Sequence, residues 1–182
     1  MGSGMWGLGF SVVEARSKRL LKRLTATPMQ RSHFLLSYML SRLLGLGLEM
    51  VAIIGFAVLF FGVPLRGSLL DLALVTLLGA LTFSGIGMLV AARPRTIEGV
   101  SGLMNFVQLP MWLLSGTFFS ASRFPDFAQP FIKALPLTSL NDALRAIMNE
   151  GAGMGSQGLE MTILAAWCVT TFFAAVRIFR WQ

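Results

Sequence analysis

Residues 43–62 read LLGLGLEMVAIIGFAVLFFG, with Glu49 as the one charge. Twenty residues rising 1.5 Å each in an α-helix cover about 30 Å, the hydrocarbon thickness of a bilayer. This stretch decides the fold class: an all-α, membrane-embedded chain. Working outward, residues 69–92 repeat the pattern with Asp71 near one end, and residues 100–119 carry no charge. Residues 161–179 form the last such run, with Arg177 close enough to its end to snorkel. The expected architecture is a polytopic helix bundle of about four full spans, within segments 33–62, 69–92, 97–119 and 159–179.

Composition agrees. Hydrophobic residues make up 55% of the 182 and charged residues only 13%, with mean hydropathy +0.72. A soluble domain carries about a quarter charged residues, so there is too little polar surface here to coat a water-soluble globule. The net charge of +7 and pI near 11.1 raise nucleic acid as a partner. The placement of the charge argues against it, because the basic residues flank apolar runs, as the positive-inside rule predicts. Arg16, Lys18, Arg19, Lys22, Arg23 and Arg31 precede the first full span. With alternating helices, Arg93, Arg95, Arg177 and Arg180 join them on one side, against Arg66, Arg123, Lys133 and Arg145 on the other. The richer side, with the C-terminus, is expected to be cytoplasmic.

Two segments are neither span nor simple loop. Residues 14–24 set Leu20, Leu21 and Leu24 against Arg16, Lys18, Arg19, Lys22 and Arg23, and Thr27-Pro28 supplies a stop. This reads either as a surface helix held by anionic lipid or as a docking element for a cytoplasmic partner. Residues 120–158 are expected outside. They carry Phe124, Pro125, Phe127 and Phe131, then Leu135-Pro136. Ser139 and Asp142 suggest a capping box ahead of Leu140, Ala143, Leu144, Ile147 and Met148 at helical spacing. Two short amphipathic helices beside a span suggest re-entrant elements. The four glycines of residues 151–158 return the chain to the last span. Residues 1–13 are apolar but too short to cross.

No catalytic constellation emerges. His33 is the one histidine and has no carboxylate or cysteine beside it, and Cys168 sits alone in an apolar run. Neither a zinc-ligand spacing nor a GxxxxGK[ST] phosphate loop occurs, so the chain is not expected to bind a metal or hydrolyse ATP by that route. The intramembrane charge Glu49 lies seven residues after Arg42, so the two share a helix face. They either line a substrate path or fix packing. Asn105, Gln108 and Ser115 are further polar candidates for such a path. Pro110 removes a backbone donor inside the third span, and Gly45, Gly47, Gly79, Gly85 and Gly87 permit close helix approach.

These motifs together resemble a known family. VEAR at 13–16 followed by LLKRLTATP at 20–28 is similar to the cytoplasmic loop of type 2 ABC exporter permeases, where a glutamate precedes a basic, leucine-rich helix. LLSGTFF at 113–119 resembles the end of that family's fifth span. Phe124-Pro125, LPLT at 135–138 and NDALR at 141–145 resemble its external segment. The resemblance implies six spans in a complete permease, with this sequence supplying the last four and, in residues 1–13, the end of the second. It implies a coupling helix at Glu14, Arg16, Lys18, Arg19, Leu20, Leu21, Lys22, Arg23 and Leu24 that docks on a separate ABC ATPase. ATP and Mg would be held by that partner, with no cofactor in this chain. A second permease copy would complete the substrate path, and Phe124, Pro125, Pro136, Asp142 and Arg145 would belong to the external re-entrant segment. The function implied is that of the transmembrane subunit of an exporter in the plasma membrane. The competing readings are a non-ABC carrier, an intramembrane enzyme and a non-transporting scaffold.

Overall fold

The computed structural model describes residues 2–17, 31–62, 66–94, 96–116 and 124–178. Among them there is no strand. Four long helices and one half-length helix make the bundle: α1 (Gly2–Ser17), α2 (Arg31–Phe61), α3 (Leu69–Ala91), α4 (Ile97–Leu114) and, after two short helices, α7 (Gly158–Ile178). The short pair is α5 (Gln129–Lys133) and α6 (Pro136–Arg145), the latter prolonged by a π-helical turn over Ala146–Glu150.

The centre of the bundle is α3. Ser68 caps its first turn by accepting from the Leu70 amide, and Asp71 faces the positive end of the helix dipole. Its residues from Thr82 to Met88 are buried on every side. Lipid is as apolar as leucine, so helices in a membrane associate through close packing and polar contacts rather than through water exclusion. Here glycine permits that packing. A Cβ on Gly85 would lie 2.5 Å from Thr171 Oγ1 of α7, and one on Gly79 2.7 Å from Leu140 Cδ1 of α6. At Gly87 the obstacle is backbone: the Met5 carbonyl oxygen of α1, 2.8 Å away. Gly47, by contrast, has nothing within 4 Å and serves no contact here. The polar pin between α3 and α7 is Thr82, whose hydroxyl reaches Leu164 O at 3.0 Å as well as Leu78 O at 2.8 Å.

Among the described residues, three stretches are long and apolar enough to cross a membrane: Leu43–Phe60 within α2, Leu69–Ala91, and Met154–Ile178. The fourth expected span differs. Its helix is the 18-residue Ile97–Leu114, diluted by Glu98, Asn105 and Gln108, and the chain leaves it at Ser115 with Gly116 at φ +74°. A left-handed glycine just past the last turn is a common helix stop. Pro110 is accommodated inside α4. α1 runs unbroken across residues 13 and 14 to Ser17. The expected capping box is not formed: α6 starts at Pro136 behind an extended Leu135, and Ser139 Oγ donates to Lys133 O and Leu135 O instead. Proline at the first helical position needs no donor, so the helix begins earlier than a serine cap would place it.

Candidate functional site

The bundle has two distinguishable ends. Arg66 donates from its backbone to Met148 O and from Nη1 to Asn149 O, and the Met154 amide donates to Asp71 Oδ2 at 3.3 Å. These bonds bring the start of α3, the end of α6 and the start of α7 together at one end. Glu160, in the first turn of α7, lies there too. The other end holds the end of α1, the start of α2 and the link between α3 and α4, with Glu14, Arg16, Arg31 and Arg93. Of the basic residues expected on the two sides, Lys18, Arg19, Lys22, Arg23, Arg95, Arg123 and Arg180 lie outside the described residues.

From the first end, α5 and α6 dip back into the bundle. Trp167, nine residues into α7, donates its indole N–H to Ala134 O at 2.9 Å. Leu140 packs on Gly79, ten residues into α3. At 1.5 Å per residue, and with side chains leaning toward a helix's N-terminus, the Ala134 turn and the first half of α6 lie roughly 10–15 Å inside the ends of the spanning helices. The hairpin turns back between the long helices, and the carbonyl at its non-helical turn is satisfied by Trp167.

It also satisfies α4. Asn141 Nδ2 donates to Ser115 O at 3.5 Å and Arg145 Nη2 to Gly116 O at 3.1 Å, so two side chains of α6 cover the exposed carbonyl end of a helix that stops inside the bundle. A cation there also suits the negative end of the helix dipole. Asp142, Arg145 and Asn149 form the exposed face of α6, while Leu140, Ala143 and Ile147 are buried. Partial desolvation lifts the Asp142 carboxyl above its ordinary range. Arg145 opposes this, Glu160 adds to it, and Lys133 opposes it more weakly.

The candidate path residues are not gathered into one cluster. Gln108 is buried and accepts from Trp6 Nε1 at 2.5 Å, which ties α1 to α4. Ser115 is buried at the α4 stop, and Asn105 is exposed. Arg42 contributes backbone to α2, and its side chain lies outside the described residues. Glu49 is exposed on α2. It faces away from a cleft of about 670 Å³ between α2 and α3, whose α2 wall includes Leu43, Met50, Ile54 and Val58. Of the expected docking helix, Glu14 and Arg16 fall in the last turn of α1, while Lys18, Arg19, Leu20, Leu21, Lys22, Arg23 and Leu24 lie outside the described residues. In the external segment, the Phe124 and Pro125 carbonyls accept from Gln129 Nε2 and the Ala128 amide, which starts α5. Sequence reasoning missed Asn141 as a partner of Ser115, although both residues stood in motifs already singled out. It also missed Trp6, whose partner is more than a hundred residues away.

The sequence profile of ABC-2 type transporter membrane domains matches residues 1–149. The chain belongs to the ABC-2 type transporter family. ABC transporter G family member 20 of Dictyostelium discoideum is 26% identical over 168 residues, covering 91% of this chain and 23% of that protein. The linearmycin resistance permease protein LnrN of Bacillus subtilis is 26% identical over 182 residues, 97% of this chain and 46% of LnrN. The inner membrane transport permease YhhJ of Escherichia coli is 25% identical over 120 residues, 63% of this chain and 32% of YhhJ. The chain therefore spans between 23% and 46% of the length of these relatives. No solved structure matches it. The family match makes the chain membrane-spanning permease material of an ABC system.

Proposed function

We infer that this chain forms the transmembrane part of an ATP-driven exporter, moving its substrate outward by alternating access while a separate ATPase subunit hydrolyses ATP. The observation that carries this reading is the hairpin of α5 and α6 at membrane depth, holding the free end of α4. Broken helices and irregular backbone at that depth belong to cavities and pathways rather than to inert anchors. Outward direction is favoured by LnrN, named as a resistance permease, and the plasma membrane by YhhJ, named as an inner membrane protein. The end of the bundle with Glu14, Arg16 and Arg93 is then cytoplasmic, together with the C-terminus. The segment Glu14 to Leu24 docks on the ATPase, which holds ATP and Mg. A second permease copy supplies the other wall of the path, and two such copies switching between two packings against each other give the transport cycle its two states.

The test is co-purification from membranes with the partner ATPase, comparing wild type with a variant carrying Glu14→Ala, Lys18→Ala and Arg19→Ala. The docking reading expects a complex that the triple variant loses while its membrane insertion is unchanged. A complex equally stable in both would remove the docking role from this segment. No complex even with wild type would favour a carrier or scaffold.

A further inference from the structure

The hairpin leaves Lys133 exposed at its inner turn, with two more charged side chains, Asp142 and Arg145, exposed nearer the hairpin end of the bundle. Lys133 ends α5 one residue before the carbonyl that receives Trp167, and Asp142 and Arg145 lie on the exposed face of α6. Ser139 Oγ of α6 donates to Lys133 O, so the end of α5 and the start of α6 share one region, and the charges of Lys133 and Arg145 both reach the Asp142 carboxyl. A charged side chain facing hydrocarbon costs a few kcal/mol on insertion scales, and such residues face protein or a water-filled cavity instead. Arg145 is engaged with Gly116 O. The Lys133 ammonium has no hydrogen bond or ion pair with any described residue.

We propose that the exposed face of α5 and α6 lines a water-filled cavity entering roughly 10 Å from the hairpin end of the bundle, and that Lys133 at its floor receives an anionic group of the transported molecule. The placement is specific. The cation sits at the deepest turn of the hairpin, and the acid that partly balances it is set aside on the next helix. The proposal deepens the export reading and rests on it only for the identity of what passes. The water and the local positive potential are properties of the chain itself.

The experiment reads those two properties without transport. In a Cys168→Ala background, Ala134→Cys places a thiol beside Lys133 at an exposed position, and Phe131→Cys serves as a second reporter. Membranes are treated with membrane-impermeant anionic or cationic methanethiosulfonate reagents, on whichever side labels a Gly153→Cys control in the hairpin-end loop. Both reporters are expected to react, with the anionic reagent favoured relative to its rate on a free thiol. Lys133→Gln should lower that preference about fivefold, the effect of one unit charge at roughly 8 Å in water on oppositely charged reagents. Lys133→Arg should preserve it. Unreactive thiols at 131 and 134 alongside a reactive Gly153→Cys would overturn the cavity. Reactive thiols whose charge preference ignores Lys133→Gln would overturn the anion site. Either failure is independent of whether the chain binds an ATPase.

Discussion

Replacing Gly87 by alanine adds one methyl group where α1 crosses α3, and the structure sets the sign of the outcome. The new Cβ would stand 2.8 Å from the Met5 carbonyl oxygen and 2.9 Å from Met5 Cα. Both are backbone atoms, so no rotamer change relieves the overlap, and α1 must move away as a unit. Overpacking of this kind costs about 1–3 kcal/mol. Against it stands the helix propensity gained on going from glycine to alanine, about 0.8–1 kcal/mol. Gly47→Ala is the matched control, since it makes the same chemical change within a helix but meets nothing within 4 Å. The propensity gain is common to both variants and cancels in their difference. Gly87→Ala should therefore be less stable than Gly47→Ala by about 1–3 kcal/mol, the steric cost alone. Unfolding of the purified protein in mixed micelles, titrated with a denaturing detergent, reads this difference directly. Equal midpoints for the two variants would refute the close crossing of α1 on α3, and with it the placement of residues 2–17 in the bundle.

The Trp6–Gln108 pair should behave asymmetrically. Trp6→Phe leaves the buried amide without its donor and should cost about 1–2 kcal/mol, while Trp6→Phe with Gln108→Leu should recover most of that loss; a double variant as unstable as the single one would reject the pair. Thr82→Val removes the bond to Leu164 O and should cost about 1 kcal/mol, whereas Thr138→Val, whose hydroxyl is buried with no partner, should be neutral or stabilising in the same titration. For Asp142 the folded state raises the carboxyl's pKa, so its contribution to stability is fully present below the unfolded value and is lost as pH rises through the folded one. Asp142→Asn should therefore be more stable than wild type at neutral pH, with the gap closing in acid; a gap that widens toward low pH would contradict the partial desolvation of this carboxyl.

Much of the bundle was legible because the spanning helices are written in unbroken apolar runs. Residues 43–60, 69–91 and 158–178 needed only length and hydropathy, and their ends fell within a residue or two of expectation. The external segment was legible in outline, since Pro136 and the apolar period from Leu140 to Met148 mark a short helix whatever its surroundings. The missed details are those that depend on tertiary neighbours. Serine and aspartate three residues apart look like a cap in isolation, but proline fixed the helix start one turn earlier and freed Ser139 for the carbonyls of the preceding turn. The α4 stop could not be located from hydropathy, because Thr117, Phe118 and Phe119 continue an apolar run beyond it. Gly116 is the local signal, and its left-handed conformation becomes necessary only because Asn141 and Arg145 wait for the carbonyls it exposes.

That last arrangement explains why the path residues were the hardest to read. Polarity within an apolar run identifies groups that must be paired, without saying with what. Gln108 and Ser115 both stand out in the sequence of α4, yet the Gln108 amide is paired with a tryptophan of α1, while the Ser115 hydroxyl turns back to Trp112 O and its backbone carbonyl accepts from an asparagine of α6. Both are therefore joints between helices first. Such a joint still bears on movement, because both side chains that hold the α4 end come from one short helix. Asn141 and Arg145 hold the α4 end from the same short helix that exposes Asp142 beside Arg145. A displacement of α6 would change the exposed face and the α4 stop together, which gives a movement at the hairpin end a route into the interior of the bundle.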